Sequence, residues 1–136
     1  MSSSVGWFIG IPIGKIQHEF RELKFPEHIE RTFSEAWKLY NQGSYDHCLI
    51  EVFRGIETIL KERYTRESLD PSNEKIAAII NGLKKKEIIG ECDMHLLHGI
   101  RCYRNKVAHL PLKNEDRHII DTILILTVPL IKKLIE

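Results

Sequence analysis

The chain is short of the features that mark several large classes of protein. Its 136 residues include only three cysteines, Cys48, Cys92 and Cys102, an odd number that does not fit a disulfide framework. Lysine and arginine number 20 and aspartate and glutamate 19, so the net charge of +1 excludes nonspecific polyanion binding by the whole surface. A hydrophobic share of 43% excludes a disordered chain. We therefore expect one domain with one core.

Long hydrophobic runs are also missing. The longest, Val5–Ile13 and Ile123–Ile131, are each interrupted by a proline and are far shorter than the roughly 20 residues of a membrane helix. The first run lacks the basic leader and the cleavage pattern of a signal peptide. Together with the sparse cysteines, these absences predict a cytoplasmic protein that has no membrane partner.

The period of the hydrophobic pattern changes once along the chain. Residues Val5–Ile13 alternate between apolar and other side chains, as a strand does, and Pro12 confines such a strand to an edge. From Pro26 the apolar residues recur every three or four positions, as in helices. We predict an extended N-terminal arm over residues 1–25 and one helical domain over residues 26–136.

The helical part divides into five patterns with start signals at Pro26, Ser44, Asp70, Asp93 and Asn114. These patterns predict an all-α protein, a bundle of four or five helices. In the last pattern the apolar residues cover more than one face. That helix is therefore either central in the bundle or shared with a second copy of the chain.

The segment from His98 to Lys113 is the most informative for function. It holds four basic side chains and no acidic one, a local charge of +4 that suits a phosphate. In a regular helix Arg101, Asn105 and His109 would lie on one face at intervals of four residues.

Within that segment, the hexapeptide Arg104-Asn105-Lys106-Val107-Ala108-His109 resembles the Arg-x(4–6)-His signature of the HEPN superfamily (higher eukaryotes and prokaryotes nucleotide-binding domains). The context is similar as well. A helix over residues 36–40 is followed by Gly-Ser-Tyr at 43–45 and by Arg-Gly-Ile-Glu at 54–57. Ile-Arg at 100–101 lies shortly before the motif. The resemblance covers about residues 26–136 and is closest to the branch of the superfamily described as a domain of unknown function.

The resemblance implies a HEPN-like helical bundle, usually a homodimer with the motif of each subunit near the dimer cleft. Many members are metal-independent endoribonucleases in defence, toxin–antitoxin or RNA-processing systems, whereas others bind without cutting. Toxins paired with nucleotidyltransferase antitoxins often carry a tyrosine two residues after the histidine. This chain has Pro111 there, which makes that partnership less favoured than another antitoxin or partner protein.

The residue types of the motif fit cleavage of single-stranded RNA. His109 is suited to proton transfer, Arg104 to holding a phosphate, and Asn105 to orienting the histidine or a phosphate oxygen, so we assign these three as catalytic. Arg101 and Lys106 are expected to bind phosphate, and Tyr103 to stack on a base unless it is buried. One histidine cannot easily perform both proton transfers, which favours a homodimer.

Two further interpretations stay open. The same residues could be helix-capping or surface groups, and the protein could be a non-catalytic module that binds RNA, a nucleotide or a partner protein. A zinc site at Cys92, His95, His98 and Cys102 is not favoured, because one straight helix rarely wraps four ligands around a tetrahedral ion. We expect no metal and no cofactor.

Overall fold

The computed structural model describes residues 13–109 and 117–136, and all regular secondary structure in these ranges is helical. The six helices are α1 (Ile13–Glu22), α2 (Glu27–Asn41), α3 (Tyr45–Arg66), α4 (Ile76–Lys85), α5 (Glu91–Val107) and α6 (Arg117–Ile135). This confirms the all-α bundle. The rest of the strand pattern before Ile13, and the cap predicted at Asn114, lie outside the described residues. Within these ranges none of the helices is long and apolar enough to cross a membrane.

Residues 13–22 differ from the prediction, because they form helix α1 and not an extended arm. Ile16, Phe20 and Leu23 are buried at helical spacing. The Phe20 ring lies 5.1 Å from that of Phe33 and 5.4 Å from that of Trp37, both on α2. The alternation that ends at Ile13 concealed this second, helical period. The bundle therefore starts well before residue 26.

Helices α2 and α3 form a hairpin that turns at Gly43. Its φ of 80° lies in the left-handed region that glycine adopts at little cost. The two helices approach closely at Gly55, where a Cβ would lie 2.8 Å from Cζ of Phe33. Glycine at this position allows the Phe33 ring to lie against the α3 backbone.

Helix α3 is the centre of the bundle. It packs against α2, α4, α5 and α6, and buried apolar residues occur from Cys48 near its start to Tyr64 near its end. The final helix α6, which we expected to be central or shared, packs mainly on α3 and on α1. Its buried face includes two polar residues, Asp121 and Thr127.

Two predicted helix starts shift. The third helix begins at Ile76 and not after Asp70, because the Asp70 carboxylate accepts hydrogen bonds from the backbone and hydroxyl of Ser72 and holds a turn there. The next begins at Glu91 and not Asp93, with the Asp93 carboxylate accepting a hydrogen bond from the Gly90 amide.

Contacts at the far ends of the helices fix their directions. Nη1 of Arg63, near the end of α3, donates to the Leu134 carbonyl near the end of α6, so these helices run the same way. Nζ of Lys133 lies 2.7 Å from Oδ2 of Asp93 at the start of α5, so α5 runs against α6. The end of α5 is therefore at the same end of the bundle as the starts of α3 and α6. We call this the motif end.

Candidate functional site

The predicted motif occupies the last turns of α5 and the turn that follows it. Arg104 is half-buried, whereas Asn105 and Lys106 are exposed. Tyr103 is 40% exposed, so it is not the buried aromatic that we considered as the alternative. Its ring is accessible for stacking on a base.

His109 lies beyond the helix. Helix α5 ends at Val107, and the His109 amide donates to the Lys106 carbonyl at 3.1 Å in a tight turn. The expected alignment of Arg101, Asn105 and His109 on one helix face therefore stops at Asn105. His109 is exposed, and its position is set by the turn and not by the helix.

Arg104 and Asn105 are joined by a long hydrogen bond in which Nη1 of Arg104 donates to Oδ1 of Asn105 over 3.5 Å. The role expected of Asn105, to orient His109 or a phosphate oxygen, stays a prediction, because this contact joins Asn105 to Arg104. No carboxylate in residues 13–109 or 117–136 forms an ion pair with Arg104. Its charge is therefore not neutralised within that part of the protein, as binding of a phosphate requires.

A buried polar network lies at the same end of the bundle. The Tyr40 hydroxyl donates to Oδ1 of Asp121 at 2.6 Å, and Nε of Arg117 donates to the Tyr40 oxygen at 2.9 Å. Arg117 Nε is also 3.9 Å from Oδ2 of Asp121, and its guanidinium lies 5.4 Å from the Tyr40 ring centroid. The network fixes the first turn of α6 against the last turn of α2.

Burial gives the network its electrostatic character. Desolvation and the hydrogen bond to Asp121 raise the pKa of Tyr40, so its hydroxyl stays protonated. The hydrogen bond to Tyr40 raises the pKa of Arg117. Desolvation, with Asp121 nearby, raises the pKa of the Cys48 thiol to about 12. Arg117, the first residue of α6, is therefore a cation that the network holds in place.

Tyr40, Asp121 and Arg117 are not among the site residues predicted from the sequence. Tyr40 has the apolar spacing of α2, and Asp121 lies among the apolar residues of α6. The available signal was an aspartate between Ile120 and Ile123 on an otherwise apolar face. A charged residue is seldom fully buried unless it is paired.

A second polar contact joins α4 to α5. Nε2 of His98 donates to Oδ1 of Asn81 at 2.8 Å. His98 Nδ1 and Arg101 Nε are buried without a hydrogen-bond partner in the described part of the chain. Desolvation, followed by the charges of Arg101 and His95, lowers the pKa of His98.

These contacts also bear on the disfavoured zinc interpretation. His98 is hydrogen-bonded to Asn81, and His95 pairs with Glu91 at 3.8 Å. Cys92 and Cys102 are both free and exposed. Across residues 13–109 and 117–136, no three His, Cys, Asp or Glu side chains are grouped so that they could hold a metal ion.

Comparison with known families identifies the chain. A family model described as a domain of unknown function (DUF4145) matches residues 34–134, about three quarters of the 136 residues. The chain belongs to the DUF4145 family. The DUF4145 match includes the Tyr40 network and the Arg104–His109 motif, whereas α1 precedes it. Neither a curated protein nor a solved structure matches the chain.

Proposed function

We propose that this protein is a metal-independent endoribonuclease of the HEPN type that cleaves single-stranded RNA. The observation that carries the proposal is the end of α5. There a half-buried Arg104 without an ion-pair partner among the described residues lies close in sequence to an exposed histidine, and its Asn105 neighbour is within hydrogen-bond reach. The resemblance of residues 104–109 to the HEPN signature supports the same reaction.

The chemistry needs two proton transfers and one stabilised phosphorane. The 2′-oxygen of the ribose attacks phosphorus as its proton passes to a base, and the P–O5′ bond breaks as a second group protonates the leaving oxygen. The products are a 2′,3′-cyclic phosphate and a 5′-hydroxyl. Arg104 holds the phosphate oxygens with its planar donors, and His109 is the group that transfers a proton.

A homodimer gives the reaction its second histidine. Helix α6 supports self-association, because Leu126 is 45% exposed on its outer face and lies next to the half-buried Ile125. Light scattering should give about twice 15.9 kDa at micromolar concentration. A monomer at that concentration would contradict the model with two motifs.

We further propose that the enzyme acts in the cytoplasm, within a defence, toxin–antitoxin or RNA-processing system. The three free cysteines suit a reducing compartment. Because Pro111 departs from the pattern of toxins paired with nucleotidyltransferases, an antitoxin of another class or a different partner protein is the better expectation.

The deciding experiment follows cleavage of a labelled single-stranded RNA in the presence of a chelator. His109→Ala should abolish cleavage and retain most RNA binding, whereas Arg104→Ala should weaken both because it removes a phosphate partner. His18→Ala is the matched control, since His18 is an exposed histidine on α1 whose one ion-pair partner in the described ranges is Glu22.

The outcomes separate enzyme from binding module. Cleavage that requires divalent metal, or that persists in His109→Ala, would overturn the mechanism. Binding without cleavage at protein excess would favour the alternative, a non-catalytic module that holds RNA, a nucleotide or a partner protein. That alternative is supported by the exposed Tyr103 and Lys106, which could bind RNA without taking part in a reaction.

A further inference from the structure

The hydrogen bond between Asn81 and His98 marks a surface beside the Arg104–His109 motif. Helices α4 and α5 are joined by a short turn over residues 86–90 and run against each other, since Asn81 and His98, on either side of that turn, are hydrogen-bonded. Lys84 and Lys85 follow Asn81 by three and four residues on α4, and Arg101 follows His98 by three on α5, so each set lies on one side of its helix. We call Asn81, Lys84, Lys85, His98 and Arg101 the α4–α5 strip.

The strip is basic in a nearly neutral protein. Helix α4 contains no acidic residue, and both of its terminal lysines are exposed. The acidic residues in the first turn of α5 have other partners, because Glu91 is 3.8 Å from His95 and Asp93 is 2.7 Å from Lys133. In the turn between the helices Glu87 is exposed and is the acidic residue nearest to the lysines along the chain.

Arg101 is the unusual member of the strip. It is half-buried, and its Nε is buried without an acceptor in the described residues. Its close neighbour is His98, whose Nδ1 is buried and equally unpartnered. Buried arginines are normally paired with a carboxylate or a carbonyl. An anion bound beside this partly buried cation and histidine would supply the missing hydrogen-bond acceptor.

The strip leads to the motif end. Because α4 and α5 are antiparallel, Lys84 and Lys85 lie near the level of His95, ten residues before Asn105. At a rise of 1.5 Å per residue this separates them by about 15 Å along α5. Arg101 lies between them, one turn before Arg104 and Asn105. The positive charges therefore form a line that ends at the motif.

We infer that the α4–α5 strip binds the phosphate backbone of the single-stranded RNA whose scissile bond lies at Arg104 and His109. The inference rests on the proposed function for the position of the reacting bond. A line of cations that is continuous with a phosphate-binding arginine suits a polyanionic strand, whereas a compact anion would need only one end of it. Affinity for RNA on the strip can be measured without cleavage.

The test uses the full chain in a His109→Ala background, so that the RNA stays intact. Lys84→Glu combined with Lys85→Glu is compared with Lys24→Glu combined with Lys61→Glu, an equal change of charge at exposed lysines elsewhere. For an RNA of about 12 nucleotides in about 0.1 M salt, the strip variant should bind about tenfold more weakly and the control within about twofold of the parent.

Salt dependence identifies the phosphate contacts. Loss of two contacts to a single strand should reduce the slope of log K against log salt by about 1.4, and Arg101→Gln should reduce it by about 0.7. A merely structural role for Arg101 would lower stability without changing this slope. A dinucleotide spans only the motif, so its affinity should not respond to the lysine changes.

Failure of the inference is distinguishable from failure of the proposed function. Equal RNA affinity and salt slope in the strip and control variants would overturn the strip, even if the unaltered protein cleaves RNA. If the strip variants lose RNA affinity as expected but the unaltered protein leaves RNA intact, the strip is supported and the ribonuclease is not. Binding of an acidic peptide in preference to RNA would also overturn the inference.

Discussion

The Tyr40 hydroxyl lies 2.6 Å from Oδ1 of Asp121, a residue 81 positions further along the chain, and both side chains are buried. This hydrogen bond joins the last turn of α2 to the first turns of α6. Arg117 completes the group by donating to the Tyr40 oxygen at 2.9 Å. The network therefore holds the start of α6, the helix that follows the Arg104–His109 motif, in one position.

Tyr40→Phe should lower the free energy of unfolding by about 1–3 kcal/mol, because it leaves the buried Asp121 carboxylate and Arg117 without the hydroxyl between them. Tyr103→Phe is the matched control, since Tyr103 is 40% exposed and should change stability by less than about 0.5 kcal/mol. Urea denaturation measures both variants. Equal free energies of unfolding in the two variants would show that the network does not contribute to stability.

The three thiols should differ in reactivity. Burial and the nearby Asp121 raise the pKa of Cys48 to about 12, so almost no thiolate forms at neutral pH, whereas Cys92 and Cys102 are exposed. A maleimide should label two cysteines in the native protein and all three in denaturant, as mass spectrometry would count. Rapid native labelling of Cys48 would mean that the α3–α6 contact opens readily.

Substitution by alanine at two helical glycines should change the stability of the protein in opposite directions. At Gly55 a Cβ would lie 2.8 Å from Cζ of Phe33, whose ring already packs against Phe20 and Phe25, so Gly55→Ala should destabilise by about 1–3 kcal/mol. At Gly99 a Cβ meets no described atom within 4 Å. Gly99→Ala should therefore stabilise α5 by up to about 1 kcal/mol. Thermal unfolding followed by circular dichroism decides the sign of each.

The ion pair between Asp93 and Lys133 should make stability depend on pH. The hydrogen bond from Lys133, helped by the Gly90 amide, lowers the pKa of Asp93 below its usual 3.8. Its stabilisation is therefore present above pH 3.8 and is lost as the pH falls through the lower folded-state value. Asp93→Asn should cost about 1 kcal/mol at pH 7 and nothing once the native carboxyl is protonated. A constant difference across this range would contradict the assignment.

Leu126→Glu tests the outer face of α6 as a dimer contact. Leu126 is 45% exposed, so the glutamate should leave the fold of one subunit intact and separate a dimer that buries this side chain. Sedimentation of the variant should show the 15.9 kDa species, with RNA cleavage falling in parallel. Lys132→Glu provides a control, because that residue is exposed on the same helix. A dimer that survives Leu126→Glu would exclude this face.

The sequence by itself determined the helices from Pro26 onward, apart from the starts of α4 and α5, because their apolar spacing and the turn at Gly43 are local properties that neighbouring residues impose on one another. It also indicated Arg104, Asn105 and His109 as candidate site residues, because they lie within six consecutive residues. Only the tertiary structure decided the rest. Helix α1 is recognisable once Ile16 and Phe20 have a core to pack against. The Tyr40–Asp121 pair and the Asn81–His98 bond join residues 81 and 17 positions apart. Such contacts depend on how helices pack, and no spacing along the chain encodes them.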